Sequence, residues 1–417
     1  MAKYAFILGQ QPYLSAVEIV AFLEKQSFDF KLKSFSNEAL LVETEDEMND
    51  VSLFSQLGGT IKIIKIIDSV RKDNFENEFK AFLRKDSLLD EDFKGKKIHF
   101  GLSFYSLGGK GKVFKFFRKW VRTLNDLIKD YLFDQNLKSA FVRPKAPSLS
   151  SVSVVKNKLM KDGFELSLLL FLEEVFIGKT IWVQDFDDFS FRDYSRPERD
   201  SQVGMLPPKL ARLMINLAGF EKDKVLLDPF CGSGTIITEA TLLGFKNLVA
   251  ADIHEGAVKQ TQTNLDWLFD NYLDLKKVEF QLKSLVLKAE ELSLGLDQES
   301  IDLIVTEPDL GSPRIRGFSK NQTKKEINRL KELYLAFFKE ARKVLKQQGK
   351  IVIALPVYFK KGQLIRVNIL TEILNLGFQK ENLAEKVVDL AGNFKEDFLY
   401  RRVGQFVGRE IFVFRKV

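Results

Sequence analysis

Apolar and polar positions in this chain follow two periods, and the switches between them divide it into segments. Tyr4–Leu8 is a short apolar run and reads as a strand. Tyr13, Ala16, Val17, Val20 and Leu23 then recur at helical spacing, which predicts a helix over Leu14–Glu24 with one buried face. Leu40–Thr44 predicts a strand, Met48–Gln56 a helix stopped by Gly58-Gly59, and Thr60–Val70 a further strand. A helix near Phe75–Leu83, a strand at Ile98–Tyr105 and a long helix from about Val113 to Tyr131 follow. A short strand at Ala140–Val142, a helix near Val152–Met160 and the strands Glu165–Leu172 and Val175–Gln184 close this part. Asp185–Pro208 is rich in Asp, Arg, Ser and Pro and has no period, so a linker is expected there. Beyond it, Leu210, Leu213, Met214 and Leu217 mark one helix face, and strands alternate with helices as in a doubly wound parallel sheet. The expected division is a strand and helix module over 1–72, an α+β unit over 73–184, a linker over 185–205 and an α/β domain over 206–417.

Composition narrows the class. A hydrophobic share of 45% with 29% charged residues is ordinary for a soluble globular protein. The most apolar stretch, Leu166–Leu172, is far too short to span a bilayer and runs into Glu173 and Glu174. The opening Met1–Gly9 is too short for a signal-peptide core, so no membrane partner and a cytoplasmic location are expected. One cysteine excludes an intrachain disulfide framework and any zinc site built on several cysteines; no metal is expected.

The formal charge of +7 is unevenly spread. Between Lys94 and Lys161 there are 16 Lys and Arg against three acids, a local net of +13, so the remainder is net acidic. That polarity is the footprint of a polyanion partner. Lys110, Lys112, Lys115, Arg118, Lys119 and Arg122 are the candidate contacts to that polyanion. Phe114, Phe116, Phe117 and Trp120 are interleaved with them, either to stack on unpaired bases or to face the protein core.

The richest chemistry lies in Val225–Ile236, where an apolar strand meets Asp228, a tight glycine turn and a helix start. A dinucleotide fingerprint would need a third glycine where Ile237 stands, and Asp228 would aim a carboxylate at phosphates. A cofactor with ammonium and sulfonium cations and no phosphate fits better, which points to S-adenosylmethionine. The candidate cofactor contacts are Asp228, Phe230, Gly232, Gly234 and Thr235 in the turn. Asp252 ends the next strand at the offset where an acid takes ribose hydroxyls, and Glu290 follows the third strand as a candidate for the adenine amino group. The strand Ile301–Thr306 delivers Glu307, Pro308 and Asp309 to the sheet edge as catalytic candidates. Methyl transfer to an exocyclic amine needs an oxygen acceptor that orients the N–H, and Glu307 can supply it. Cys231 lies inside the cofactor turn, where a nucleophilic cysteine would not be placed, and His99 and His254 are isolated.

At these residues the chain resembles the THUMP-domain tRNA guanine-N2 methyltransferases that act on position 10. The resemblance is carried by Phe6-Ile-Leu-Gly9 with Leu14-Ser15 and Glu18, by Gly178–Asp185, and by Arg192-Asp193-Tyr194 with Arg196-Pro197. Gly204–Ala211, Asn216-Leu-Ala218 and Asp228–Thr235 extend it. It implies a ferredoxin-like module over 1–72, a THUMP-like RNA-binding domain over 73–184 and a Rossmann-like methyltransferase domain over 206–417. It also implies S-adenosyl-L-methionine as cofactor, tRNA as substrate, guanine N2 as the methyl acceptor, and leaves room for a small activator protein. The family's catalytic motif is Asp-Pro-Pro-Tyr-Gly, whereas this chain has Glu307-Pro308-Asp309-Leu310-Gly311. The aromatic that stacks on the base is missing, and Phe318 and Tyr358 are candidates to replace it. Two other readings stand beside this one: an RNA-binding homologue with impaired catalysis, and an amino-methyltransferase on DNA or ribosomal RNA.

Overall fold

The computed structural model describes the chain apart from residues 86–87, 90–96, 109–111, 200–204, 220, 222, 361, 384, 386, 388–397 and 403. Backbone proximity divides it into two units. One comprises Met1–Ser55 and Gly59–Phe186, the other Gln56–Gly58, Asp187–Ala384 and Lys395–Val417.

The first unit is built on one sheet. Its strands are β1 (Ala2–Leu8), β2 (Phe30–Phe35), β3 (Ala39–Thr44), β4 (Thr60–Arg71), β5 (Ile98–Ser106), β6 (Ser139–Val142), β7 (Gly163–Phe171) and β8 (Glu174–Val183). They lie in the order β2-β3-β1-β4-β8-β7-β5-β6. Strands from 1–72 and from 73–184 are therefore neighbours in a single sheet through the antiparallel pair β4 and β8. The helices α1 (Pro12–Lys25), α2 (Phe75–Arg84), α3 (Lys112–Asp134) and α4 (Ser151–Lys156) belong to this unit. α3 follows from its pattern: Leu124, Ile128 and Leu132 are buried at 3.6-residue spacing beside partly buried Phe116, Phe117 and Trp120. Strand β2 was not expected, and the helix expected over Met48–Gln56 is only a 3-10 turn at Val51–Gln56. Met48 instead donates its backbone N–H to the Tyr4 hydroxyl, which holds that stretch out of helical geometry.

The expected linker carries helix α5 (Phe186–Tyr194). Its buried face is Phe189 and Arg192, so its periodicity includes a cation and escapes a search for apolar spacing. Arg192 and Arg212 both pair with the buried Glu239, with the Phe189 ring beneath the two guanidinium groups at 4.4 and 5.0 Å. Those pairs join α5 to α6 (Pro208–Ala218) and α7 (Thr235–Leu243).

The second unit is doubly wound. Strands β9 (Val225–Asp228), β10 (Asn247–Asp252), β11 (Gln281–Val286), β12 (Ile301–Thr306) and β13 (Leu345–Lys360) run parallel in the order β11-β10-β9-β12-β13. The sheet continues with β17 (Val407–Lys416), antiparallel to β13, and then β15 (Phe378–Lys380); β14 (Gln363–Arg366) and β16 (Leu399–Tyr400) are short partners of β13 and β17. Helix α8 (Glu255–Asn271) follows β10, and α10 (Leu370–Asn375) precedes β15. Helix α9 (Lys320–Val344) opens with a capping box between Ser319 and Gln322. It buries Leu330, Tyr334, Phe337, Phe338, Ala341 and Val344 against Leu227, Ile304, Ile351 and Ile353 of the central strands. Strand order reverses between β9 and β12. In open α/β sheets the ligand crevice lies beyond the C-terminal ends of the strands at that reversal.

Candidate active site

The crevice at the reversal is bounded by the residues that leave β9 and β12. On the β9 side the chain turns sharply through Cys231–Gly234. Gly232 and Gly234 have φ of +50° and +81°, a region that side chains with a Cβ seldom enter. A Cβ on Gly234 would also stand 2.8 Å from Thr261 Cγ2, whereas a Cβ on Gly232 would meet open space. The turn is therefore packed from behind and clear in front. Helix α8 fastens it: Thr261 Oγ1 donates to Gly232 O at 2.9 Å and Asn264 Nδ2 to Ser233 O at 2.7 Å, both side chains fully buried.

The expected cofactor residues take distinct places around this turn. Asp228 ends β9, and its carboxylate accepts the Thr306 hydroxyl at 2.7 Å and the Phe230 N–H at 3.2 Å. Burial lifts its carboxyl to about 7 despite those donors, and the neighbouring Asp252 and Glu307 push the same way. Asp252, at the end of β10, accepts the Gly232 N–H at 3.1 Å and the His254 N–H at 3.0 Å. Thr235 opens α7 and accepts Arg196 Nη1 at 2.6 Å. The Phe230 ring turns into the α9 layer, edge-on to Phe337 at 5.6 Å. Glu290 is half-buried in the 3-10 turn Ala289–Leu294 that follows β11.

The segment before α6 also reaches the turn. Glu198 exchanges backbone hydrogen bonds with the Asn264 amide, and Arg196 is buried against Thr235 and Met205. Buried Cys231 has its thiol held far above its ordinary range, so it is no nucleophile. His99 meets the carbonyl of Asn157 in the first unit.

On the β12 side, Glu307 emerges just past Thr306. Its carboxylate takes both prongs of Arg409, a residue of β17: Nη2 donates to Oε1 at 3.0 Å and Nε to Oε2. Burial raises the Glu307 carboxyl above its ordinary value while Arg409 pulls it down. Pro308 is buried. Asp309 is exposed and turns to α9, accepting Arg329 Nη2 at 2.8 Å and the Gly311 N–H. Two tyrosine hydroxyls hold the loop from beneath: Tyr334 donates to Asp309 O at 2.5 Å and Tyr358 to Leu310 O at 2.6 Å. Gly311 has φ of +88°, and a Cβ there would fall 2.4 Å from the Tyr358 hydroxyl. Tyr358 is thus fully buried and committed to the loop, and cannot be the replacement for the missing aromatic. Phe318 packs on the same core with part of its ring exposed.

On α3 the aromatics divide. Phe116, Phe117 and Trp120 pack on the core, while Phe114 is 47% exposed with Arg118 over its ring at 4.4 Å. Lys115, Arg118, Lys119 and Arg122 form one exposed stripe at helical spacing. Lys110 and the side chain of Lys112 lie outside the described residues.

Arg409 was not anticipated. The signal available was the pair Arg409-Glu410 at the start of the last strand, just ahead of the apolar run Ile411–Phe414.

Residues 196–366 match a family profile described as RMKL-like, methyltransferase domain, and residues 110–263 one described as DNA methylase. A protein of Methanothermobacter thermautotrophicus named tRNA (guanine(10)-N2)-dimethyltransferase is 34% identical over 162 residues, which cover 39% of this chain and 42% of that protein. The chain thus matches less than half of that relative's length. A protein of Methanothermococcus thermolithotrophicus named probable tRNA (guanine(10)-N2)-dimethyltransferase is 32% identical over 149 residues, 35% of this chain and 78% of that protein. The chain belongs to the tRNA (guanine(10)-N2)-dimethyltransferase family. Its fold agrees: the crystal structure of TrmN from Thermus thermophilus superposes with a TM-score of 0.56 at 15% identity, covering 100% of both chains. Within this family, the strand order and the crevice at its reversal identify the second unit as the Rossmann-like part. No helix among the described residues is long and apolar enough to cross a membrane.

Proposed function

We propose that the protein transfers methyl groups from S-adenosylmethionine to the exocyclic N2 of a guanine in tRNA, near position 10. One observation carries this reading: the glycine turn after β9 and Glu307 after β12 flank the same crevice at the reversal of strand order. The residues around that crevice suit the cofactor's chemistry. Asp228, Asp252 and Glu307 give it an acidic lining matched to a cation, and the open face of Gly232 admits close approach. Asp252 is the ribose partner and Glu290 the adenine partner in this reading, with Thr235 at the helix start. When bound, the cofactor supplies an electrophilic methyl.

Glu307 accepts one N–H of the amine, which aims the nitrogen lone pair at the methyl and receives the proton shed after alkylation. Pro308 stiffens the chain, and Asp309 fixes the loop through Arg329. The guanine must leave its stack to reach this position. Lys115, Arg118, Lys119 and Arg122, with Lys110 and Lys112, are the tRNA phosphate contacts, and a cytoplasmic location goes with that substrate.

The test is label transfer from tritiated S-adenosylmethionine to unmodified tRNA, followed by nucleoside analysis. Label in N2-methylguanosine is expected, and Glu307→Gln should lower turnover by about 10²- to 10⁴-fold with cofactor affinity retained. Label in adenosine, or full activity in Glu307→Gln, would overturn the reading.

A further inference from the structure

The departure of Glu307 from an aspartate coincides with a partner on a distant strand. Arg409 lies on β17 opposite Pro356 of β13, and β13 in turn adjoins β12. The two residues therefore leave strands two positions apart, roughly 10 Å at ordinary sheet spacing. Two long side chains bridge that gap, whereas an aspartate at 307 would end a methylene short. Arg409 is only 5% exposed, and its planar fork takes both Glu307 oxygens. An ionised carboxylate has about four lone-pair sites, so a two-pronged contact leaves one outward-facing site on each oxygen.

We propose that Arg409 is a positioning residue for methyl transfer: it clamps Glu307 in one orientation and leaves the outer lone pairs for the substrate amine. The proposal rests on the methyltransferase reading of the site. It explains why a longer acid works here, since Glu307 is drawn back by the span of its partner. Among the described residues, three charged or titratable groups act on Glu307: Arg409 from β17, Asp228 from β9 and Tyr334 from α9. Arg409 alone among them favours the ionised acid. Removing it leaves a largely buried carboxyl near a second carboxyl, which favours the protonated form and forfeits acceptor capacity.

The experiment uses the full chain with Arg409→Gln, Arg409→Lys and Glu307→Asp. For Arg409→Gln, kcat at neutral pH should fall at least about tenfold, and the acidic limb of its pH profile should rise by about one unit or more. KM for S-adenosylmethionine should stay within about twofold, because the interaction acts on the acceptor side. Arg409→Lys should recover part of the loss, since it returns a charge but not the fork. Glu307→Asp should be impaired although it restores the shorter acid. Carbon-13 NMR of labelled glutamate, assigned with Glu307→Gln, reads the Glu307 titration without turnover, and its midpoint should rise in Arg409→Gln. An active wild type whose Arg409→Gln variant keeps kcat and pH profile, or gains activity, overturns the proposal. So does an unmoved titration. A wild type that methylates nothing defeats the functional reading instead, and the NMR titration still decides whether Arg409 governs Glu307.

Discussion

Each unit buries a carboxylate beside a cation, and the two pairs are built to different ends. In the first unit Glu165 is 0% exposed and takes Lys62 and the Ser103 hydroxyl on one oxygen and the Thr180 hydroxyl on the other. Lys62 spends further donors on Leu149 O and the Tyr105 hydroxyl, and burial lowers its own pKa against the pull of Glu165. That network fills the Glu165 acceptors with donors from three neighbouring strands, β4, β5 and β8. In the second unit Glu307 has one partner among the described residues, Arg409, with a side chain 13% exposed and a place at a strand end rather than inside the sheet. Burial of charge alone therefore does not mark a reactive site. Unused lone pairs next to a crevice do.

The comparison can be broken first at its structural member. Lys62→Met leaves Glu165 buried without its cation and should cost about 3–5 kcal/mol in urea unfolding. Adding Glu165→Gln to it should return much of that loss. A single variant as stable as the parent would mean the first pair is not a closed network. Asp228 sharpens the contrast because it is buried with no cationic partner among the described residues. Its folded value of about 7 lies above the unfolded 3.8, so folding takes up a proton between those values. The stability tied to Asp228 is full below pH 3.8 and lost as pH climbs through 7, as much as about 4 kcal/mol. Melts of the ligand-free protein at pH 5 and pH 8 should show that slope, and Asp228→Asn should flatten it. An unchanged slope would place the titration elsewhere. The smallest effect belongs to the exposed cations of α3. Arg118→Ala and Lys119→Ala should each lower the salt dependence of tRNA binding by about one unit of slope, with stability nearly unchanged. A slope equal to wild type would remove α3 from the RNA contact.

Much of this was legible in the sequence because it is local. The β9 turn announces itself in the twelve consecutive residues Val225–Ile236, and the strand before Glu307 is a mostly apolar run. Arg409 was hidden for the opposite reason: it lies 102 residues from Glu307, and only the antiparallel docking of β17 on β13 brings them together. Helix α5 escaped because its buried face includes Arg192, a residue that apolar periodicity counts as surface. Tyr358 suggested stacking by its residue type, while in the fold its hydroxyl is committed to Leu310 O, close beneath Gly311. Where residue type and sheet topology must be combined, a single chain of letters carries one half of the information.

The two tyrosine hydroxyls under Asp309 and Leu310 bear on timing as well as on shape. They tie the acceptor-side loop to α9 and β13, so the loop should open only with the elements that carry those tyrosines. In the proposed reaction, admission of the target base then falls to the opposite wall of the crevice or to the nucleotide itself. The rate of swinging the base out becomes a property of the RNA as much as of the protein.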